Sequence, residues 1–105
     1  MFYFCDYMMK EKLDILDVEN AVAKLFGVDR EGFYARLGVK NLYTARHFLW
    51  LFLHDEYGMS NREISKMYIH SKRMVEKAIS GMRFRVGNQP QDRKVYEELK
   101  SSLLI

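Results

Sequence analysis

The sequence predicts an all-α protein, a compact bundle of about six helices. Along most of the chain, apolar residues recur at the i, i+3, i+4 spacing that places them on one face of a helix. Ser, Asp or Asn precedes these stretches and Gly often follows them, and these residue types begin and end helices. No alternating strand pattern persists. A chain of 105 residues with 49% hydrophobic content can bury a core without disulfides, so we expect one domain.

The first three predicted helices span 17–26, 29–37 and 41–57. Asp17 and Asn41 are the predicted N-caps of the first and third, because such side chains accept hydrogen bonds from the free N–H groups of a first turn. Residues 48–53 are apolar on every side, which is typical of a helix buried at the centre of a domain. We expect Gly58 to end this helix in the left-handed conformation.

The next two predicted helices are joined by a very short turn. Ser60 and Glu63 form an S-x-x-E capping box, in which each side chain bonds the other residue's backbone N–H. Ser71 is the next N-cap, and it leaves only Ile69 and His70 for the turn. This layout is typical of a helix-turn-helix that reads DNA.

The second of these helices separates apolar from basic residues. Its core-facing positions are Val75, Ala78, Ile79, Met82 and Val86. At 100° per residue, Arg73, Lys77 and Ser80 fall on the opposite face. A solvated surface is the simplest interpretation of such a face, but the local charge favours a binding surface.

The two ends of the chain complete the predicted architecture. Residues 1–16, rich in aromatic residues and methionine, form an N-terminal extension that either packs on the domain or offers a partner surface. The helical domain spans 17–105. Within it, 87–91 is the predicted loop and 92–103 the predicted final amphipathic helix.

Charge is unevenly distributed along the chain. Residues 60–94 contain nine basic and three acidic side chains, a net charge of +6, whereas residues 1–34 contain four basic and seven acidic ones, a net charge of −3. The formal net charge of +3 for the whole chain conceals this polarity. A polyanion, double-stranded DNA in particular, is therefore the predicted partner of the basic half.

Several classes of protein are disfavoured. Cys5 is the single cysteine, so no internal disulfide forms, and a reducing cytoplasm is the expected location. No Cys/His spacing is typical of a metal site, no G-x-x-x-x-G-K-[ST] loop is present, and no catalytic arrangement stands out, so we expect neither cofactor, metal nor enzyme. The apolar Met1–Cys5 segment is too short for a signal peptide or membrane span, and no membrane partner is expected.

Residues 18–103 resemble the carboxy-terminal DNA-binding domain of the bacterial replication initiator DnaA. The segment 19–28 (ENAVAKLFGV) is similar to the family's first helix, Arg46-His47-Phe48 to its P-R-Q, and 60–64 (SNREI) to its S-L-P-E-I-G. The implied fold is the DnaA C-terminal, Trp-repressor-like helix-turn-helix domain. The family's G-G-R-D-H-T-T-V motif is replaced here by 69–75 (IHSKRMV), so a DnaA-box specificity is not carried over.

The helix faces and the resemblance together predict two sets of DNA-contacting residues. The predicted base-reading residues are Ser71, Lys72, Arg73, Met74 and Lys77. The residues predicted to contact phosphate or the minor groove are Lys40, Arg46, Arg62, Lys66, His70 and Arg83. Lys40 and Arg46 are included through the resemblance alone, and His70 is equally well interpreted as an ordinary turn histidine.

Two functional hypotheses follow. In the first, the chain is a double-stranded DNA-binding protein that regulates replication or transcription and places 71–84 in the major groove. In the second, the same fold is a protein-interaction module whose positively charged side contacts an initiator or another replication factor. The replaced base-reading motif is the main argument for the second. Duplex affinity measured over a series of salt concentrations separates the two hypotheses.

Overall fold

The computed structural model describes residues 14–34 and 40–103, and these residues form five α-helices with no strand among them. The helices are α1 (Ile15–Phe26), α2 (Lys40–Phe52), α3 (Asn61–Tyr68), α4 (Lys72–Asn88) and α5 (Pro90–Leu103). A 3₁₀ helix, Arg30–Tyr34, lies between α1 and α2, and a π-helical turn, Leu53–Tyr57, continues α2. The predicted all-α class is confirmed. Residues 1–13 of the predicted N-terminal extension lie outside the described residues.

The start of α1 differs from the prediction. The N-cap is Asp14, whose side chain accepts a hydrogen bond from the Leu16 N–H, and Asp17 lies in the first turn. A carboxylate in a first turn is favourable because it meets the positive end of the helix dipole, so either position suits Asp. Gly27 ends the helix as predicted, with φ of 66° in the left-handed region.

The predicted second and third helices are also modified. In place of a helix over 29–37, the described residues form only the short 3₁₀ helix, and 35–37 lie outside the described part. The long helix already includes Lys40, so Asn41 lies inside its first turn and is not the N-cap. It ends as predicted at Tyr57, and Gly58 follows with φ of 92°. The π-helical last turn is a feature that the sequence pattern did not predict.

The centre of the domain is α2, as its apolar middle predicted. The side chains of Phe48, Leu49, Trp50, Leu51, Phe52 and Leu53 are all buried. A helix can bury every side in this way only if neighbours surround it, and α2 packs against both α1 and α4. The helix α5 closes the bundle by packing on α1 and α4, while α3 packs on α4.

The connection between α3 and α4 follows the predicted caps closely. The Glu63 N–H donates to Ser60 Oγ at 3.1 Å, and the Ser60 N–H donates to Glu63 Oε1 at 2.9 Å, which completes the capping box. Ser71 caps α4 by accepting a hydrogen bond from the Met74 N–H at 3.1 Å. Ile69 ends α3 with φ of 56°, a left-handed conformation that is costly for a β-branched residue. The tight turn that it makes sets α4 immediately after α3.

We expect Ser60→Ala to destabilise the protein by about 0.5–2 kcal/mol, because the substitution leaves the Glu63 N–H without its side-chain acceptor. Urea unfolding gives the change in the free energy of unfolding. Ser80→Ala is the matched control, since Ser80 is exposed in the interior of α4, where Ala has the higher helix propensity. Equal effects from the two substitutions would contradict a capping role for Ser60.

The predicted loop over 87–91 is wrong. The helix α4 continues through Gly87 to Asn88, and α5 begins at Pro90, so Gln89 alone separates them. Pro is well suited to a first helical position, because the N–H that it lacks would be unpaired there. Arg93 donates from Nη2 to the Gly87 carbonyl at 2.8 Å and from Nε to the Val86 carbonyl at 3.3 Å. Hydrogen bonding from α5 thus satisfies the last carbonyl groups of α4.

Candidate functional site

The outward face of α4 carries the predicted reader residues. Arg73, Lys77 and Ser80 are exposed, and Val75, Ala78, Ile79 and Met82 on the opposite side are buried. The predicted division of this helix into a core-facing and a solvent-facing side is therefore confirmed. Within the described ranges, no ion pair involves Arg73 or Lys77.

The other three predicted base-reading residues lie in the first turn of α4. Ser71 is exposed, but its hydroxyl oxygen already accepts the capping hydrogen bond. Lys72 is exposed and lies 3.7 Å from Glu76 in an i, i+4 ion pair, which is weak at such an exposed position. Met74 exposes about half of its side chain. Among the described residues, Arg73 and Lys77 are accordingly the two cations on this face that form no ion pair.

Two further exposed basic residues, Arg62 and Lys66, lie on α3. They are one helical turn apart. Their helix packs its other side, with Ile64 and Tyr68, into the core. As with Arg73 and Lys77, the ion pairs of the described residues do not include them. We refer to Arg62, Lys66, Arg73 and Lys77 as the basic face.

Arg83 was predicted to contact phosphate, but its guanidinium is already occupied. It donates to both oxygens of Asp55, with distances of 2.6 Å from Nη2 to Oδ1 and 3.2 Å from Nε to Oδ2. The hydrogen bonds to Asp55 raise the pKa of Arg83. A bidentate pair of this kind is the strongest arrangement of these groups. Asp55 takes two of the five N–H donors of Arg83 and balances its charge, so we do not count Arg83 in the basic face.

Arg46 was also predicted to contact phosphate or the minor groove, but the structure buries it. Only 3% of the residue is exposed, and its Nη2 donates to the Gly32 carbonyl at 3.4 Å. Burial lowers the pKa of its guanidinium. The side chain therefore connects α2 to the 3₁₀ helix, and a direct contact with a phosphate or the minor groove would require it to leave the core. Lys40 begins α2, and its side chain lies outside the described part of the structure.

His70 packs inward from the turn between α3 and α4. Its ring meets the Trp50 ring edge-on, with 5.1 Å between centroids, and its Nδ1 lies 3.2 Å from Met74 Sδ. The side chain is half-buried. These contacts favour the ordinary turn histidine over the predicted phosphate contact, because they use the ring to support the turn.

The sequence His54-Asp55-Glu56 places acidic and basic groups side by side without making a catalytic group. His54 Nδ1 lies 2.8 Å from the Met59 carbonyl, Asp55 pairs with Arg83, and Glu56 accepts from the Tyr96 hydroxyl at 3.2 Å. The three side chains have different partners, as expected for adjacent residues on a helical turn.

A buried cluster that the sequence did not predict holds α3 in place. Glu19 of α1 is 1% exposed, and its Oε2 accepts from the hydroxyl groups of Tyr34 and Tyr68, each at 2.5 Å. Arg30 donates to the other carboxylate oxygen at 3.2 Å. Burial, followed by the hydrogen bond to Glu19, raises the pKa of Tyr34 to about 12, and the same two causes raise the pKa of Tyr68. Both hydroxyls thus stay protonated as donors at neutral pH.

Comparison with known proteins assigns no family to this chain. No protein-family model matches the sequence, and no curated protein matches it either. In the ranges 14–34 and 40–103, none of the helices has the length and hydropathy that crossing a bilayer requires.

Proposed function

We propose that this protein binds double-stranded DNA, with the first turns of α4 in the major groove and the basic face against the phosphates. The observation that supports this proposal is the basic face itself: four exposed cations on two consecutive helices, none of them in an ion pair within the described residues. The three acidic side chains of 60–94 have partners outside the basic face. Glu63 completes the capping box, Glu76 pairs with Lys72, and Asp92 pairs with Arg85.

In this proposal α4 contacts the bases and α3 contacts the phosphates. Arg73 and Lys77 on α4 approach the base edges, and a guanidinium that donates twice to guanine O6 and N7 is the commonest specific contact in the major groove. Arg62 and Lys66 on α3 neutralise phosphates and so set the orientation of the protein on the duplex. The resemblance of residues 18–103 to the DnaA C-terminal domain favours a regulator of replication or transcription.

Replacing Arg62 and Lys66, the two residues placed against the phosphates, together by Ala is expected to weaken duplex binding and to reduce the dependence of log K on log salt. Each lost phosphate contact lowers the slope by roughly 0.9, so the double variant should lose up to about 1.8. Fluorescence anisotropy with a 20-base-pair duplex at several salt concentrations measures both quantities. The proposal predicts that the loss of slope accompanies the loss of affinity.

A charge-matched control separates a local contact from a general effect of net charge. Lys24→Ala/Lys94→Ala removes the same number of positive charges from exposed positions on α1 and α5. This control should retain nearly the full slope. If both double variants lose slope and affinity equally, DNA does not contact the basic face specifically.

Exposed apolar side chains favour a second candidate, the protein-interaction module. Ile69 and Met74 are exposed at the turn, and Phe84 on the outward side of α4 is 66% exposed. Apolar side chains near a basic surface are typical of the mixed interfaces that proteins form with one another. An initiator or replication factor with an acidic surface is the partner in this case. Duplex affinity that is negligible even at low salt would favour this candidate over DNA binding.

A further inference from the structure

A cleft lies between the first half of α2 and the middle of α4, beside the basic face. Its volume is about 430 Å³, and its lining includes Tyr43, His47, Met74, Lys77, Gly81 and Arg85. The volume is within the range of small-molecule sites. Gly81 leaves the wall of α4 open, since a Cβ at this position would meet no atom within 4 Å.

One wall of the cleft is aromatic. Tyr43, His47 and Trp50 follow one another on α2, with ring centroids 4.2 Å apart for the first pair and 5.8 Å for the second. Trp50 is buried in the core, whereas Tyr43 is 54% exposed. The exposed Tyr43 ring therefore packs against His47, which in turn packs against Trp50, and a planar group can pack on the open side of Tyr43 at little entropic cost.

The opposite wall is positively charged. Lys77 forms no ion pair among the described residues, and Arg85 is held in position by Asp92, at 3.2 Å from Nε to Oδ2. None of the described residues that line the cleft has a carboxylate, so Lys77 is the cation of this wall whose charge is not balanced by Asp92. The pKa of His47 is lowered to about 4. Burial is the main cause, followed by the charges of Arg46, Arg85 and His70. His47 is neutral at pH 7, and Lys77 is the group that can pair with an anion in the cleft.

We propose that this cleft binds one nucleotide, with the base against Tyr43 and the phosphate beside Lys77. An aromatic platform next to a positively charged wall is the combination that binds unpaired nucleotides without regard to sequence. A single strand and a free nucleotide present the same chemistry. The site shares Lys77 with the proposed duplex surface but does not depend on duplex binding, since Tyr43 and Gly81 lie outside the basic face.

The test uses the full chain and a fluorescein-labelled (dT)8 strand, with binding followed by anisotropy at fixed low salt. Tyr43→Ala is expected to weaken binding about 5- to 150-fold, the effect of losing one stacked base, while Tyr43→Phe retains it. Gly81→Leu should weaken binding without any loss of folding, because Leu fills the open cleft and favours the helix. Lys94→Ala on α5 is the control and should leave the affinity unchanged.

Competition experiments show whether the cleft binds a free nucleotide or requires a strand. Two point variants show whether this site is separate from the proposed duplex-binding surface. Displacement of (dT)8 by dTMP at millimolar concentration shows that a free nucleotide suffices, and displacement only by unlabelled (dT)8 shows that a strand is required. Arg73→Ala should weaken duplex binding and leave (dT)8 binding unchanged, whereas Tyr43→Ala should do the reverse. Equal (dT)8 affinity for the original protein, Tyr43→Ala and Gly81→Leu, or no (dT)8 binding at all, overturns the proposed nucleotide site.

Discussion

Replacing Trp50 by Ala is expected to destabilise the protein by about 3–5 kcal/mol, because the substitution empties the centre of the core. The residue is 1% exposed, and its ring packs against those of His47, Tyr68 and His70. These partners belong to α2, α3 and the turn before α4, so a cavity at this point loosens the connection between the core and the proposed reader helix. Urea unfolding should be followed by far-ultraviolet circular dichroism, because Trp50 is the only tryptophan.

Two further variants make this result interpretable. Phe84→Ala removes a large ring from an exposed position of α4 and should change the free energy of unfolding by no more than about 0.5 kcal/mol. Trp50→Phe should cost less than Trp50→Ala, since it retains most of the ring and removes an indole N–H that has no acceptor among the described residues. A near-neutral Trp50→Ala would remove α2 from the centre of the core and contradict the architecture.

Glu19→Ala is expected to cost a similar amount, about 3–5 kcal/mol, for an electrostatic reason. The substitution removes the acceptor of two tyrosine hydroxyls and of the Arg30 guanidinium at a buried position. The Tyr68 hydroxyl then lies in the core without its partner, and the desolvation of that group is no longer compensated. The same urea unfolding experiment measures the loss. Glu97→Ala, on the exposed side of α5, is the matched control and should be close to neutral.

A double-mutant cycle tests whether Glu19 acts through Tyr68. Tyr68→Phe alone should cost about 1.5–3 kcal/mol, the contribution of a hydrogen bond to a charged group. If the two residues form one unit, the double variant Glu19→Ala/Tyr68→Phe should cost less than the sum of the single variants. Strict additivity would show that Glu19 stabilises the fold without the contact that connects α1 to α3.

The caps of the helix-turn-helix were predictable from the sequence because they are local. Ser60 and Glu63 are three residues apart, and so are Ser71 and Met74, so the hydrogen bonds that begin α3 and α4 are decided within one turn. The periodicity of α4 is local in the same sense. Its buried and exposed faces, including the positions of Arg73 and Lys77, follow from 100° per residue and agree with the structure.

Some charged side chains have partners far away in the sequence, and these partners depend on the tertiary structure. Arg62 and Arg83 are both basic residues on predicted helices, yet Arg83 meets Asp55, 28 positions away, while Arg62 remains exposed on α3. The fold likewise buries Arg46 beside Gly32 and brings Glu19 to Tyr68, 49 positions away. Such pairs depend on how helices pack, and no periodicity along the chain encodes the packing.

The first and last residues of the helices likewise depend partly on local sequence and partly on contacts between helices. Asp14 and Asp17 are both acids that suit the start of a helix, and in the structure Asp14 is the N-cap and Asp17 lies in the first turn. Gly87 and Pro90 are turn residues by local propensity, but Arg93 of α5 bonds the carbonyls of α4 and extends the helix to Asn88. By itself the sequence determined the all-α class, the capped turn and the outward basic residues of α3 and α4, since these depend on neighbours within one helical turn. The pairing of Arg83 with Asp55 and the position of the cleft beside Tyr43 came instead from the tertiary structure, because both depend on contacts between residues far apart in the chain.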